Sequence, residues 1–142
     1  MRPELQNLDL IDLISERHLQ LRRFIEKKWN DTSSIYISNS EWFIMARVYK
    51  RKPTISYVAK NVDISRQATH KFVKSLQAKG LIEVKTMENN NRDKCIELTE
   101  LGVECYEKNL EMKAVLVNRI ADKIGIENVS FLKDVLRDDW GL

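Results

Sequence analysis

The sequence predicts a mainly α-helical fold with one small β-hairpin. Three observations point that way. Only four Gly and two Pro punctuate 142 residues, too few for a many-turned sandwich or barrel. Apolar residues recur at spacings of three and four through most of the chain, the signature of helices with one buried face. Apolar–polar alternation appears in one place, on either side of a polar turn at residues 88–91. With 43% apolar and 32% charged residues, the chain suits one globular domain, or one domain with a helical appendage.

The first helix is expected from Leu8 to Trp29, capped by Asn7, with Leu8, Ile11, Ile14, His18, Leu21 and Ile25 on one stripe. At 1.5 Å per residue it would be about 33 Å long, too long for one small domain to cover. Leu10, Leu13 and Phe24 lie off that stripe, so a second burying surface is needed, either a neighbouring helix or another copy of the chain. Asn30-Asp31-Thr32-Ser33-Ser34 then favours a loop.

Ser38-Asn39-Ser40-Glu41 is a capping box opening a second helix that carries Trp42, Ile44, Met45 and Val48, and Lys50-Arg51-Lys52-Pro53 ends it. Thr54 starts a short helix with Ile55, Val58 and Ala59 inward. After a tight connection, Ser65 caps the next helix, Arg66 to Lys79. Here Thr69, Phe72, Val73 and Leu76 make the inward stripe, whereas Arg66, Gln67, His70, Lys71 and Lys74 make a contiguous outward one. Gly80 is the expected left-handed stop. Leu81 to Met87 and Lys94 to Leu98 form the hairpin around the turn. Thr99 caps a long helix reaching Ile124, Gly125 interrupts it, and a last helix carries Val129, Leu132, Val135, Leu136 and Trp140.

Several function classes drop out. No stretch approaches the roughly 20 apolar residues of a membrane span, and Met-Arg-Pro-Glu-Leu-Gln lacks the apolar core of a secretion signal, so a cytoplasmic protein is expected. Cys95 and Cys105 form no Cys-x-x-Cys pair, and His18 and His70 have no ligand-spaced companion, so neither a disulfide framework nor a metal or other cofactor is expected. An enzyme is disfavoured by the lack of a glycine-rich phosphate loop, a nucleophile elbow or a His-x-x-x-His pair.

Charge supplies the positive lead. Residues 1–49 hold seven basic and seven acidic side chains, 50–94 hold eleven and four, and 95–142 hold six and ten, giving 0, +7 and −4. A basic run is often only a solvated face. Here it is mounted on helix, tight turn, helix and hairpin, which together make a winged helix-turn-helix. Such a unit seats its second helix in the major groove of double-stranded DNA while the hairpin reaches a neighbouring minor groove. Ser65, Arg66, Gln67, Ala68 and His70 open that helix; Arg66 can pair with guanine, Gln67 and His70 with base edges, and Lys71 and Lys74 with phosphates. Arg92 at the wing tip is the candidate for the minor groove, flanked by Lys85 and Lys94.

These residues resemble the MarR family of bacterial transcriptional regulators. The resemblance is carried by Ser38-x-x-Glu41-Trp42, Tyr57-Val58-Ala59, Ser65-Arg66-Gln67-Ala68-Thr69 and Leu76-x-x-Lys79-Gly80-Leu81-Ile82. It continues through Asn90-Asn91-Arg92-Asp93-Lys94-x-Ile96-x-Leu98-Thr99-x-x-Gly102. It covers 37–105 position by position, and the flanking helices match in length and order. The resemblance implies a winged helix-turn-helix DNA-binding lobe at 37–99 on a helical dimerisation body, 1–36 and 100–142, which accounts for the doubly apolar first helix. It further implies a homodimer on near-palindromic operators, usually repressing and often released by a small phenolic ligand or by oxidation. Arg92 matches the family's wing arginine, but Asn90 stands where an aspartate is usual, and Ala68 and His70 replace hydroxyl residues.

Two alternatives stand beside this. A winged helix can serve as a protein-interaction module, but such a surface would expose apolar or aromatic anchors where this one carries cations. A thiol-based oxidant sensor would use Cys95 or Cys105, but relatives of that kind carry the thiol on the first helix, and buried inert Cys is commoner. Trp29, Trp42, Phe43 and Tyr57 are candidates to line a pocket for an aromatic effector, although such residues are more often core. His18 is expected to be an interface histidine. Lys50-Arg51-Lys52 is either a solvated helix end or a phosphate contact.

Overall fold

The computed structural model describes residues 5–62, 64–87 and 90–142, the side chains at 87 and 90–93 excepted. The described elements are α1 (Leu10–Thr32), α2 (Asn39–Val48), α3 (Ile55–Asn61), α4 (Arg66–Ala78), β1 (Ile82–Met87), β2 (Asn90–Leu98), α5 (Glu100–Ile124) and α6 (Ile126–Arg137). The mainly helical fold with a hairpin wing is therefore observed. The chain forms two compact units, Met1–Glu107 and Lys108–Leu142.

In the first unit the core is Trp29, Ile37, Trp42, Ile44, Met45, Val48, Val58, Val73, Leu76, Leu81, Ile82 and Ile96. α1 starts two residues later than expected because Asp9, not Asn7, accepts from the Asp12 N–H as N-cap, and it runs three residues further, to Thr32. Its predicted stripe also changes. Ile25 and Trp29 are buried, while Ile11 is 74% exposed and Ile14 and Leu21 are also exposed. The N-terminal half of α1 keeps the apolar spacing but leaves Leu10, Ile11 and Ile14 exposed. Trp29 meets Trp42 edge-on at 5.0 Å, and its indole N–H donates to Ile35 O.

The capping box forms as expected: the Ser38 hydroxyl accepts from Glu41 N–H, and the Glu41 carboxylate accepts from Ser38 N–H. α2 ends at Val48 rather than at the basic run, with Lys50 in the left-handed region at φ 59°, so the turn precedes Pro53. Thr54 caps α3 through Tyr57 N–H, and Ser65 caps α4 through Ala68 N–H. Gly80, at φ 75°, closes α4 in a Schellman arrangement, with Leu81 N–H on Leu76 O and Gly80 N–H on Gln77 O. Leu76 and Leu81 are both fully buried, and together the two side chains contribute on the order of 4 kcal/mol of burial.

β1 and β2 pair antiparallel, Ile82 opposite Leu98 through Thr86 opposite Lys94. The register then shifts so that Met87 faces Asn90, and β2 begins four residues earlier than expected. Of the predicted turn 88–91, Glu88 and Asn89 lie outside the described residues. Residues 52–54 add a third edge: Pro53 O accepts Ile96 N–H at 2.9 Å, and Thr54 bridges Cys95. Thr99 caps α5, accepting from Gly102 N–H while its hydroxyl donates to Gly80 O.

The second unit holds the C-terminal part of α5 and α6. Gly125, at φ 98°, separates the two helices. Trp140 falls beyond α6 rather than on it, because the helix stops at Arg137; its indole N–H donates to Val135 O. Ile126, Phe131, Leu132 and Leu136 on α6 are exposed, Phe131 to 70%.

Candidate nucleic-acid interface

α4 is held by its inner face. Thr69, Val73 and Leu76 are buried and Phe72 half-buried, so rotation of the helix is prevented and the opposite face is presented outward. On that face Ser65, Arg66, Gln67, His70, Lys71 and Lys74 are exposed and Ala68 is half-exposed. None of the four cations Arg66, Lys71, Lys74 and Lys94 has an acidic partner among the described residues. A row of unneutralised cations beside hydrogen-bonding groups at a helix N-terminus suits phosphate and base-edge contact.

The wing differs. Lys85 is bonded to Glu97 and lies 3.8 Å from Glu83, and Lys52 is 3.3 Å from Glu97. The Glu97 carboxyl is held below the ordinary carboxylate range by its hydrogen bonds to Lys85 and then Lys52, and the same bond raises Lys85. Lys85 is therefore already neutralised within the wing, unlike Lys94, which is exposed opposite Thr86. Arg92 lies on β2, in the stretch beyond the register shift, and its side chain is outside the described residues. Arg51, Lys52, Pro53, Thr54 and Tyr57 border a shallow depression beside the wing, and Tyr57 is exposed rather than core.

A second feature was not signalled by the spacing of the sequence. A partly open cavity of 630 Å³ lies between α1, α2 and the end of α3, lined by His18, Ser40, Phe43, Arg47, Asn61 and Ile64 among others. His18 stacks on Phe43 with rings inclined at 13°, and the Arg22 guanidinium sits 4.5 Å from the centroid of the same Phe43 ring. Burial pushes the Arg22 guanidinium down. It likewise raises the Tyr106 phenol, whose ring packs 4.5 Å from Tyr49. Of the four aromatic candidates, Phe43 reaches this cavity, whereas Trp29 and Trp42 are core. Cys105, on α5, is buried and Cys95, on β2, half-buried, and the two form no disulfide. Among the described residues no cluster of His, Cys, Asp and Glu could hold a metal ion, and no helix is long and apolar enough to cross a membrane.

No protein-family model matches the chain, and no curated protein matches it in sequence. Solved structures do. The reduced form of E. coli MarR is 16% identical, with TM-score 0.81 over 93% of this chain and 96% of that one. A mutant E. coli MarR complexed with operator DNA is 17% identical, with TM-score 0.75 over 90% and 91%. An S. aureus MepR–DNA complex is 16% identical, with TM-score 0.74 over 92% and 95%. Likeness over nine-tenths of both chains at this level means that the chain has the winged helix-turn-helix fold of the MarR-family structures.

Proposed function

We propose that the chain is a sequence-specific DNA-binding transcriptional regulator, acting as a homodimer and more readily as a repressor than an activator. The observation that carries this reading is the outward face of α4: Arg66, Gln67, His70, Lys71 and Lys74 exposed together on a helix whose other face is locked into the core. Lys71 and Lys74 neutralise phosphates, and Arg66, Gln67 and His70 read base edges in the major groove. Arg92 and Lys94 extend the contact from the wing to the minor groove. The structures of MarR and MepR on DNA support the same use of this fold.

The homodimer is supported by the apolar faces left open in the single chain, Leu10, Ile11 and Ile14 on α1 and Phe131, Leu132 and Leu136 on α6. In such a dimer the lobe at 37–99 binds DNA and the flanking segments, 1–36 and 100–142, join the subunits. Half-sites then lie roughly 34–36 Å apart, one turn of DNA, or a multiple of it. The cavity beside Phe43 supports a small aromatic effector, since His18 and Arg47 line it with Phe43 and its volume is of the order that small ligands occupy. Such a ligand would release DNA by preferring a dimer arrangement in which the α4 helices are misplaced.

The test is to incubate the purified protein with sheared genomic DNA at physiological salt and sequence the recovered fragments. Enrichment of a short inverted repeat is expected. Binding that only fades with rising salt, with no enriched sequence, would overturn the reading in favour of a protein-interaction module. Benzoates and phenols added to the enriched duplex complex should release the DNA if the cavity is the effector site.

A further inference from the structure

The base-reading groups of α4 lie toward its N-terminal end, and the direction in which they point depends on how the other end is held. That end is tied by one carboxylate. Lys79 Nζ lies 2.8 Å from both Glu41 oxygens, and the Ser75 hydroxyl donates to Glu41 Oε2 at 3.2 Å. Glu41 Oε1 also accepts from the Ser38 N–H and hydroxyl, both at 3.1 Å. Glu41 is only 2% exposed. A capping box needs only the bond back to Ser38 N–H; here the remaining acceptor capacity is turned onto α4, 34 and 38 positions later in the chain.

The corner that holds Glu41 is itself fixed to α1. The Asn30 amide bonds both the N–H and the carbonyl of Ile37, and Glu26 accepts from Asn39 N–H at 2.9 Å. Apolar contacts through Val73 and Leu76 tolerate small slides, whereas a buried charge shifted off its partner is strongly disfavoured. The ion pair therefore defines an orientation more than it adds stability.

We propose that Glu41 is a positioning residue for DNA recognition, setting through Lys79 and Ser75 the angle at which α4 presents Arg66, Gln67 and His70. This rests on the regulator reading above. Nothing in it requires Glu41 to touch DNA.

The test compares wild type, Glu41→Gln and Lys79→Arg on two probes: the duplex recovered from the genomic selection and a random duplex of equal length. Glu41→Gln keeps a side-chain carbonyl for Ser38 N–H, so the cap survives while the charge is lost. The operator-to-random affinity ratio is expected to fall about tenfold in Glu41→Gln, the size of one lost base contact. Affinity for the random duplex, set by phosphates, should stay within about twofold with the same salt slope. Lys79→Arg, which keeps the pair, should retain the ratio. In DNA-free protein, amide exchange should quicken over Ser75–Gly80 in Glu41→Gln and not in α5. An unchanged ratio in Glu41→Gln overturns the positioning role alone. So does a parallel loss on both duplexes that tracks a loss of folded protein by circular dichroism, which marks a merely structural residue. A wild-type chain that fails to distinguish the duplexes overturns the regulator reading, and the positioning role with it.

Discussion

Gly102 has no room for a side chain. A Cβ built there would lie 2.0 Å from Leu81 O, and that same carbonyl accepts Thr99 N–H at 3.0 Å, so it cannot withdraw without losing the joint between β1 and α5. Gly102→Ala is expected to cost about 3 kcal/mol by overpacking, measured as a drop in urea midpoint with an unchanged slope. At the opposite extreme, Lys74 is exposed and carries no ion pair among the described residues. Lys74→Ala should leave stability unchanged and lower the salt slope of DNA binding by about one ion on every sequence. An identical slope would remove Lys74 from the phosphate-contacting set.

Glu97 ties the two strands of the wing together and joins the wing to the segment before α3. Its carboxylate holds Lys85 on β1 and Lys52 on the segment before α3, beside the Ile96 to Pro53 hydrogen bond. Because the Glu97 carboxyl is depressed in the folded chain, its contribution is present above the unfolded value near about pH 4.3 and is lost as pH falls through the folded value. Protection of the Ile96 amide should therefore fall on acidification in wild type. Glu97→Gln should flatten that dependence, and equal profiles would show that the ion pairs do not hold the wing. Lys85 has the opposite sign: raised by the same bond, it keeps its contribution at low pH and loses it as pH rises through its folded value, so the pair is most effective near neutrality.

At the scale of the whole molecule, the exposed apolar residues and the segregated charge describe one economy. The middle third carries +7 and the last third −4, so the middle third suits a polyanion and the last third does not. Phe131, Leu132 and Leu136 are exposed on α6. Phe131→Glu combined with Leu132→Glu is expected to convert a dimer to a monomer in sedimentation velocity. It should also weaken binding to an inverted repeat far more than to a single half-site, since two linked contacts reinforce each other. A double variant that still sediments as a dimer would place the interface elsewhere.

Sequence by itself determined what local physics controls. The caps at Ser38, Thr54, Ser65 and Thr99, the stop at Gly80, the inward stripe of α4 and its basic outward face all follow from spacing and from hydrogen bonds a few residues long. The mainly helical fold and the outward face of α4 are therefore legible in the sequence. The start of α1 slipped because Asn7 and Asp9 are equally able to cap, and β2 began early because a register shift leaves no mark in alternation. Tertiary structure alone decided the rest. It made the capping residue Glu41 a buried anchor for Lys79 as well, neutralised Lys85 against Glu97, and opened a cavity lined by His18, Phe43 and Asn61. Each of these joins residues far apart in the chain, and the energy of such a meeting depends on burial and distance, which no single stretch of sequence carries.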